Sequence, residues 1–110
     1  MLNQVVLVGR LTRDCTVNKS EKGNKISTIS LAIPRSFKNS EGTYDTDFVD
    51  CVLFDLIAEN TSEYCKKGDI VGIKGRIQTS NYQDEKGNTV YTTDVIAEKV
   101  TFLSSKKADE

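Results

Sequence analysis

Residues 47–79 read DFVDCVLFDLIAENTSEYCKKGDIVGIKGRIQT and contain two strand patterns separated by a helical one. From about Asp47 to Phe54, the apolar residues Val49, Cys51 and Leu53 share one parity, which is typical of a half-buried strand. The last part of the segment returns to this alternation. A strand, a helix and a second strand, in this order, form the centre of the predicted fold.

A helix is predicted from Leu56 to Lys67. Its apolar residues Ile57, Tyr64 and Cys65 have the spacing i, i+7 and i+8, which places them on one helix face. Gly68 follows two lysines, which is typical of a helix C-terminus. Alternation then returns from Ile70 to Thr79. One parity carries Val71, Ile73 and Ile77, and the opposite parity carries Lys74, Arg76 and Gln78.

Further strands are predicted at about 4–12, up to about Pro34, and at about 89–103. They are separated by a turn at 19–25, a polar loop at 36–44 and a hairpin loop at 84–88. A parity shift near Glu98–Lys99 predicts a β-bulge. The whole order fits an all-β fold, the five-stranded OB-fold barrel with one helix between strands 3 and 4. We expect one domain over residues 1–104 and a short flexible C-terminal tail at 105–110.

The composition argues against an enzyme or a metal site. Histidine is absent, and the three cysteines, Cys15, Cys51 and Cys65, are odd in number and widely spaced. We therefore expect free structural cysteines, no catalytic residue, no metal and no cofactor. The N-terminus reads as a first strand rather than a signal peptide, and no apolar run is long enough for a membrane span, so a cytoplasmic location is expected.

The net charge of −1 by itself argues against a nucleic-acid ligand, because phosphate binding needs cations. The charge is, however, unevenly distributed along the chain. Residues 1–40 carry seven basic and two acidic side chains, residues 41–69 carry two and eight, and residues 70–110 carry six and six. One surface could therefore form a basic track, although an ordinary solvated surface is the simpler interpretation of charge alone.

Two phenylalanines occupy the outward parity of the strand at 47–54. Phe48 and Phe54 are six residues apart, so they point the same way about 20 Å apart along the strand. Exposed rings can stack unpaired bases. The alternative is that a partner subunit or the helix covers this face. Nucleic acid is favoured by nearby cations and rings. Lys74 and Arg76 lie on the outward parity of the strand at 70–79, and the two flanking loops are expected to add Phe37, next to Arg35 and Lys38, and Tyr82.

Seven blocks of the chain resemble bacterial single-stranded DNA-binding proteins: MLNQVVLVGRLT (1–12), RSFKN (35–39), DFVDCVLF (47–54), AEN (58–60), KKG (66–68), GRIQT (75–79) and VYTTDV (90–95). The resemblance implies an OB-fold barrel assembled as a homotetramer. It also implies non-enzymatic, largely sequence-independent binding of single-stranded DNA in replication, repair or recombination, in the cytoplasm and associated with the nucleoid. A membrane or a small-molecule substrate is not expected. The alternative function is an OB-fold assembly module whose outward aromatics form a subunit interface.

The same resemblance implies DNA-binding residues in the matching motifs. The stacking aromatics are Phe37 in RSFKN, Phe48 in DFVDC, Phe54 in VLF and Tyr82 in TSNYQD. The phosphate contacts implied by position are Arg10, Arg35, Lys38, Lys74 and Arg76, although Arg10 could equally serve an intersubunit contact. Many members continue to an acidic tip that recruits other proteins, whereas this chain stops at SSKKADE. It is either a core cut from a longer protein or a short paralogue of the kind linked to DNA uptake or mobile elements, and tail-mediated partners are not expected.

Overall fold

The structure, a computed structural model, describes residues 1–104. Its strands are β1 (Val5–Leu11), β2 (Asn18–Lys19), β3 (Lys25–Lys38), β4 (Tyr44–Phe54), β5 (Ile70–Gln83) and β6 (Thr89–Ser104), and helix α1 (Asp55–Tyr64) connects β4 to β5. Strand β1 pairs with both β3 and β5 and thereby closes a barrel of β1, β3, β4, β6 and β5. The parallel pairing is β4–β6, and the others are antiparallel. The predicted OB-fold barrel is confirmed.

The barrel is filled by one parity of each strand. The buried cluster includes Leu11, Ile29, Leu31, Leu53, Val71 and Ile73, with Ala58 of α1 packed against it. All three cysteines are free; Cys51 and Cys65 are buried in this cluster, and Cys15 packs against it. Burial raises the pKa of the Cys51 thiol to about 11 and that of Cys65 to about 12. Burial also raises the pKa of Cys15, followed by the effect of neighbouring Asp14. These thiols are therefore protonated at neutral pH and act as apolar side chains.

The strands β3, β4 and β5 are longer than predicted. The loop expected at 36–44 is present but shorter, at 39–43, because β3 runs to Lys38 and β4 begins at Tyr44. Strand β5 runs to Gln83 rather than Thr79. These extensions project beyond the barrel, where both faces of a two-stranded ribbon meet water and no apolar parity is required. Ile77, on the apolar parity of β5, is 43% exposed because it lies where β5 leaves the barrel.

The helix ends earlier than predicted, at Tyr64 instead of Lys67. Cys65 is extended (φ −115°, ψ 140°), and its N–H donates to the carbonyl of Thr61. The predicted bulge in β6 is confirmed, since Lys74 pairs with Lys99 and Gly75 with Ala97, which leaves Glu98 without a partner in the ladder. Within residues 1–104, no helix is long and apolar enough to cross a membrane. The predicted tail lies outside the described residues, so the division at residue 104 stays a prediction.

Two ribbons extend from the barrel. We call residues 34–48 the β3–β4 arm and residues 77–95 the β5–β6 arm. Their loops, 39–43 and 84–88, have the same geometry as the turn at 20–24: the first residue's N–H donates to the carbonyl of the last, and the fourth residue is a glycine at φ +81° to +83°. In each loop the side chain of the first residue accepts a hydrogen bond from a backbone N–H within the turn; these residues are Ser20, Asn39 and Asp84. Because the first and last residues of each range form the closing pair, three residues remain between them. This is the three-residue hairpin loop with a glycine in the left-handed region.

Candidate nucleic-acid interface

The outer face of β4 carries a line of aromatic rings. Phe48 and Phe54 stand opposite Ala32 and Ile26 of β3, on the parity that faces away from the barrel core. Phe48 is 69% exposed and Phe54 is 40% exposed. The alternative that the helix covers this face is therefore wrong, because both rings remain open in the described chain.

Arg76 belongs to the same outer face. Arg76 pairs with Ile96 of β6, and Ile96 in turn pairs with Val52 of β4, which lies between the two phenylalanines. Adjacent strands are about 4.8 Å apart, so Arg76 stands about 10 Å to the side of Val52. Ala97 belongs to the core cluster and Val95 packs against it. Ile96, between them, pairs with Val52 and Arg76 on the outer parity, but it is only 7% exposed. The expected proximity of cation and rings is thus present in the register.

Tyr82 lies farther out on the same side of β5. It is six residues from Arg76, and the pairing of β5 with β6 is unbroken from Gly75 to Gln83, so both side chains project from one face of the ribbon. Tyr82 is 56% exposed and stands opposite Val90. It is therefore a strand residue of the β5–β6 arm, and not a loop residue as expected.

Lys74 has the same outer parity on β5 as Arg76, but it lies two residues earlier, where β5 pairs with β1. It stands between Val6 of β1 and Lys99 of β6, and its side chain is exposed. Val6 and Val8 of β1 are also exposed. Lys74 therefore borders an apolar patch on β1, farther from the aromatic rings than Arg76 is.

Arg10 is in register with Phe48 across the sheet, because Arg10 pairs with Ala32 of β3 and Ala32 pairs with Phe48 of β4. Its Nη1, however, donates to the carbonyl oxygen of Gly68 at 2.6 Å. The guanidinium thus braces the turn after α1 against β1.

Arg35 is held by acidic side chains of β4. Its Nε lies 3.2 Å from both carboxylate oxygens of Asp47, and its Nη2 lies 2.9 Å from Oδ1. These hydrogen bonds raise the pKa of Arg35 and lower the pKa of Asp47. Asp47 is the neighbour of Phe48 on the opposite parity, so the structure does not bring the Arg35 guanidinium to the face of the rings.

Phe37 and Lys38 lie near the tip of the β3–β4 arm. Lys38 pairs with Tyr44, and its Nζ lies 5.9 Å from the centre of the Tyr44 ring, within cation–π range. Tyr44 shares the parity of Phe48, so Lys38 is on the side of the rings. Phe37 is 64% exposed but falls in a break of the register, so strand pairing does not define its side.

Sequence reasoning missed two residues of this face. Tyr44 was placed in a loop, although its parity matches that of Phe48 and Phe54 and could have identified it. Asp50 lies between Phe48 and Val52 on the same outer parity, and it places a carboxylate among the rings. The partner of Asp50 on β3 is Ser30, so its charge is not compensated by a cation at the paired position of that strand.

A closed OB-fold barrel with open rings on β4 and a cation beside them is the arrangement that OB-fold proteins use to bind single-stranded nucleic acids. The family model described as the single-strand binding protein family matches residues 2–103, and the chain belongs to that family.

Several similar proteins carry the name single-stranded DNA-binding protein. The chain is 46% identical over 110 residues to single-stranded DNA-binding protein B of Bacillus subtilis (strain 168), covering all of this chain and 97% of that protein. It is also 46% identical over 110 residues to single-stranded DNA-binding protein 1 of Streptococcus agalactiae serotype III (strain NEM316), covering all of this chain and 68% of the relative. Single-stranded DNA-binding protein 1 of Staphylococcus aureus (strain MSSA476) is 40% identical over 110 residues, which is all of this chain and 70% of that protein.

Proposed function

We propose that this chain binds single-stranded DNA, largely without regard to sequence, and performs no chemistry on it. The observation that carries the proposal is the open outer face of β4. Phe48 and Phe54 lie on either side of Val52 on this face, and Arg76 lies two strands away from Val52 in the paired register. Family membership and the names of the relatives support DNA as the ligand. The DNA would be the unpaired strand exposed in replication, repair, recombination or uptake, in the cytoplasm at the nucleoid.

Stacking supplies the main contacts in this proposal. Each base that stacks on an aromatic ring contributes about 1–3 kcal/mol, and every base offers such a face, so the binding tolerates any sequence. Phe48 and Phe54 hold bases along β4, and Tyr82 and Phe37 hold bases farther out on the two arms. Tyr44, on the same parity of β4 as Phe48 and Phe54, offers a further ring for stacking.

Cations contact the phosphates between the stacked bases. Arg76 and Lys38 are the best placed, because strand register puts both on the side of the rings. Lys74 contributes only if the DNA extends toward β1. Arg10 and Arg35 already bond to protein oxygens. With so few cations available and Asp50 among the rings, we expect a shallow dependence of affinity on salt.

A separate surface accounts for assembly. Within residues 1–104, β1 pairs with β3 only at Arg10 and Leu11, so the preceding part of β1 presents an edge to solvent. Val6 is 68% exposed and Val8 is 52% exposed on its outer side. Exposed apolar side chains beside an open strand edge favour association with a second copy. We propose a homo-oligomer, expected to be a tetramer, that uses β1 and leaves the rings of β4 free for DNA.

The test is a titration of labelled oligo-dT followed by fluorescence anisotropy, with the label on the DNA because the protein has no tryptophan. We expect Phe48→Ala and Phe54→Ala each to weaken binding about 5- to 100-fold. Tyr91→Ala is the matched control: this ring is 76% exposed but stands on the opposite face of the β5–β6 arm from Tyr82. The native mass of each variant reports assembly.

Wild-type protein that fails to bind oligo-dT at low salt, even at micromolar concentration, would end the proposal. If Phe48→Ala and Phe54→Ala instead reduce the oligomer mass, the rings form a subunit interface and the alternative function is correct.

A further inference from the structure

The β3–β4 arm is irregular at one point. Pro34 pairs with Thr46 and Lys38 pairs with Tyr44, so three residues of β3, Arg35, Ser36 and Phe37, face one residue of β4, Asp45. A regular ladder of backbone hydrogen bonds cannot continue through such a mismatch. The position of Phe37 therefore depends on side-chain contacts on either side of it.

Acidic residues of β4 tie down both ends of this segment. At one end the Arg35 guanidinium makes a two-pronged contact with Asp47, and its Nη1 lies 3.8 Å from Asp45 Oδ2. At the other end Nδ2 of Asn39 donates to Asp45 Oδ1 at 3.0 Å. Asp45 thus stands between the two ends, and Phe37 lies in the segment between Arg35 and Asn39.

The charge of Arg35 is already compensated. A two-pronged guanidinium–carboxylate contact matches the geometry of both groups, and a phosphate would have to displace it. Because salt dependence arises when protein cations displace the counterions of DNA, a cation neutralised by its own carboxylate adds little to it. The contact also holds Arg35 on the reverse side of the arm from Phe48.

We propose that Arg35 is a positioning residue for Phe37, acting through Asp47, and not a phosphate ligand. Arg35 and Asp47 fix the start of the irregular segment, and the polar contacts of Asn39 and Asp45 fix its end. The aromatic ring between them is thereby held out from the arm, where a base can stack on it. This inference rests on the proposed binding of single-stranded DNA.

The test measures oligo-dT affinity at four or more salt concentrations, with thermal unfolding to confirm that each variant is folded. We expect Arg35→Gln and Asp47→Asn each to weaken binding about fivefold, as part of the stacking contribution of one ring is lost. The slope of log affinity against log salt is expected to stay unchanged. The double variant should bind like either single variant, because each substitution breaks the same contact.

Two further variants locate the effect. In a Phe37→Ala background, Arg35→Gln is expected to cause no additional loss, because the ring it positions is already gone. Arg35→Lys should behave like Arg35→Gln, since an ammonium keeps the charge but not the two-pronged geometry. Lys38→Gln provides the reference for a true phosphate contact and should reduce the slope by about 0.7.

A slope that falls by about 0.7 in Arg35→Gln, together with wild-type affinity in Arg35→Lys, would show that Arg35 binds phosphate. Tighter binding by Asp47→Asn would lead to the same conclusion, and unchanged affinity in Arg35→Gln would also overturn the inference. Failure of the wild-type protein to bind oligo-dT is a different result, which removes the proposed function and this inference together.

Discussion

The two arms leave the same barrel and end in the same type of loop, but they hold their aromatic residues in different ways. In the β5–β6 arm the pairing is continuous from Gly75 to Gln83, and Tyr82 sits in it opposite Val90. In the β3–β4 arm the pairing breaks after Pro34, and Phe37 lies inside the break. Backbone hydrogen bonds set the side of the first ring, whereas side-chain contacts must set the position of the second.

This difference shows what a strand ladder provides for a binding surface. In a regular ladder, parity alone determines the face of each side chain, so a ring comes into position without dedicated support. In a bulged segment the parity is lost locally, and other residues must take over. Arg35, Asp47, Asp45 and Asn39 form such a group in the β3–β4 arm, whereas in the β5–β6 arm the ladder itself holds Tyr82 opposite Val90.

The largest expected effect comes from breaking the ladder at the foot of the β5–β6 arm. A Cβ at Gly75 would lie 2.0 Å from the carbonyl oxygen of Ile96. Because this neighbour is backbone, Gly75→Ala forces the two strands apart at the bulge. We expect the free energy of unfolding, measured by urea denaturation, to fall by about 3 kcal/mol.

Gly72→Ala is the matched control on the same strand. Its Cβ would meet the Leu103 side chain at 3.6 Å, an ordinary contact, so we expect a change below about 1 kcal/mol. Equal losses in the two variants would mean that the cost arises from replacing glycine in β5 and not from the close approach to Ile96.

The same contrast explains what the sequence could and could not predict. Within the barrel, Val49, Cys51 and Leu53 had to face the core, so periodicity identified the strand, and the parity shift at Glu98 identified the bulge. In the arms both faces are solvated, so Phe37, Tyr44 and Tyr82 were assigned to loops. The contact between Arg35 and Asp47 joins residues twelve positions apart across a register break, and no local pattern reports it.

The next effect compares the rings themselves. We expect Tyr82→Ala and Phe37→Ala each to weaken oligo-dT binding by about 1–3 kcal/mol, with the larger loss for Tyr82→Ala. The ladder holds Tyr82 ready for a base, whereas the segment of Phe37 has fewer backbone hydrogen bonds and loses more freedom on binding. Anisotropy titrations of both variants, with Tyr91→Ala as the control, measure the difference. A larger loss for Phe37→Ala would show that the irregular segment is as well ordered as the ladder.

A smaller effect is expected from the carboxylate on the outer face of β4. Asp50→Asn removes a negative charge between Phe48 and Val52 and should tighten oligo-dT binding about two- to fivefold at low salt. This corresponds to the roughly 1 kcal/mol that two charges about 4 Å apart exchange in water. Glu63→Gln removes the same charge near the end of α1 that is farther from Phe54, away from the rings. If Glu63→Gln tightens binding equally, net charge alone is responsible.

The smallest expected effect is a change in the pKa of Asp47, which reports on its contact with Arg35 in the β3–β4 arm. The hydrogen bonds from Arg35 hold the pKa of Asp47 below its usual value, because they favour the ionised carboxylate. The contact therefore stabilises the folded protein at pH values above the usual pKa of an aspartate, and this contribution is lost as the pH falls through the lowered value. Carboxyl ¹³C NMR should show the pKa of Asp47 rising toward its usual value in Arg35→Gln. It should not move in Lys38→Gln, since Lys38 lies over the Tyr44 ring. A rise in both variants would mean that the combined charge of Arg35 and Lys38, and not the hydrogen bonds from Arg35, lowers the pKa of Asp47.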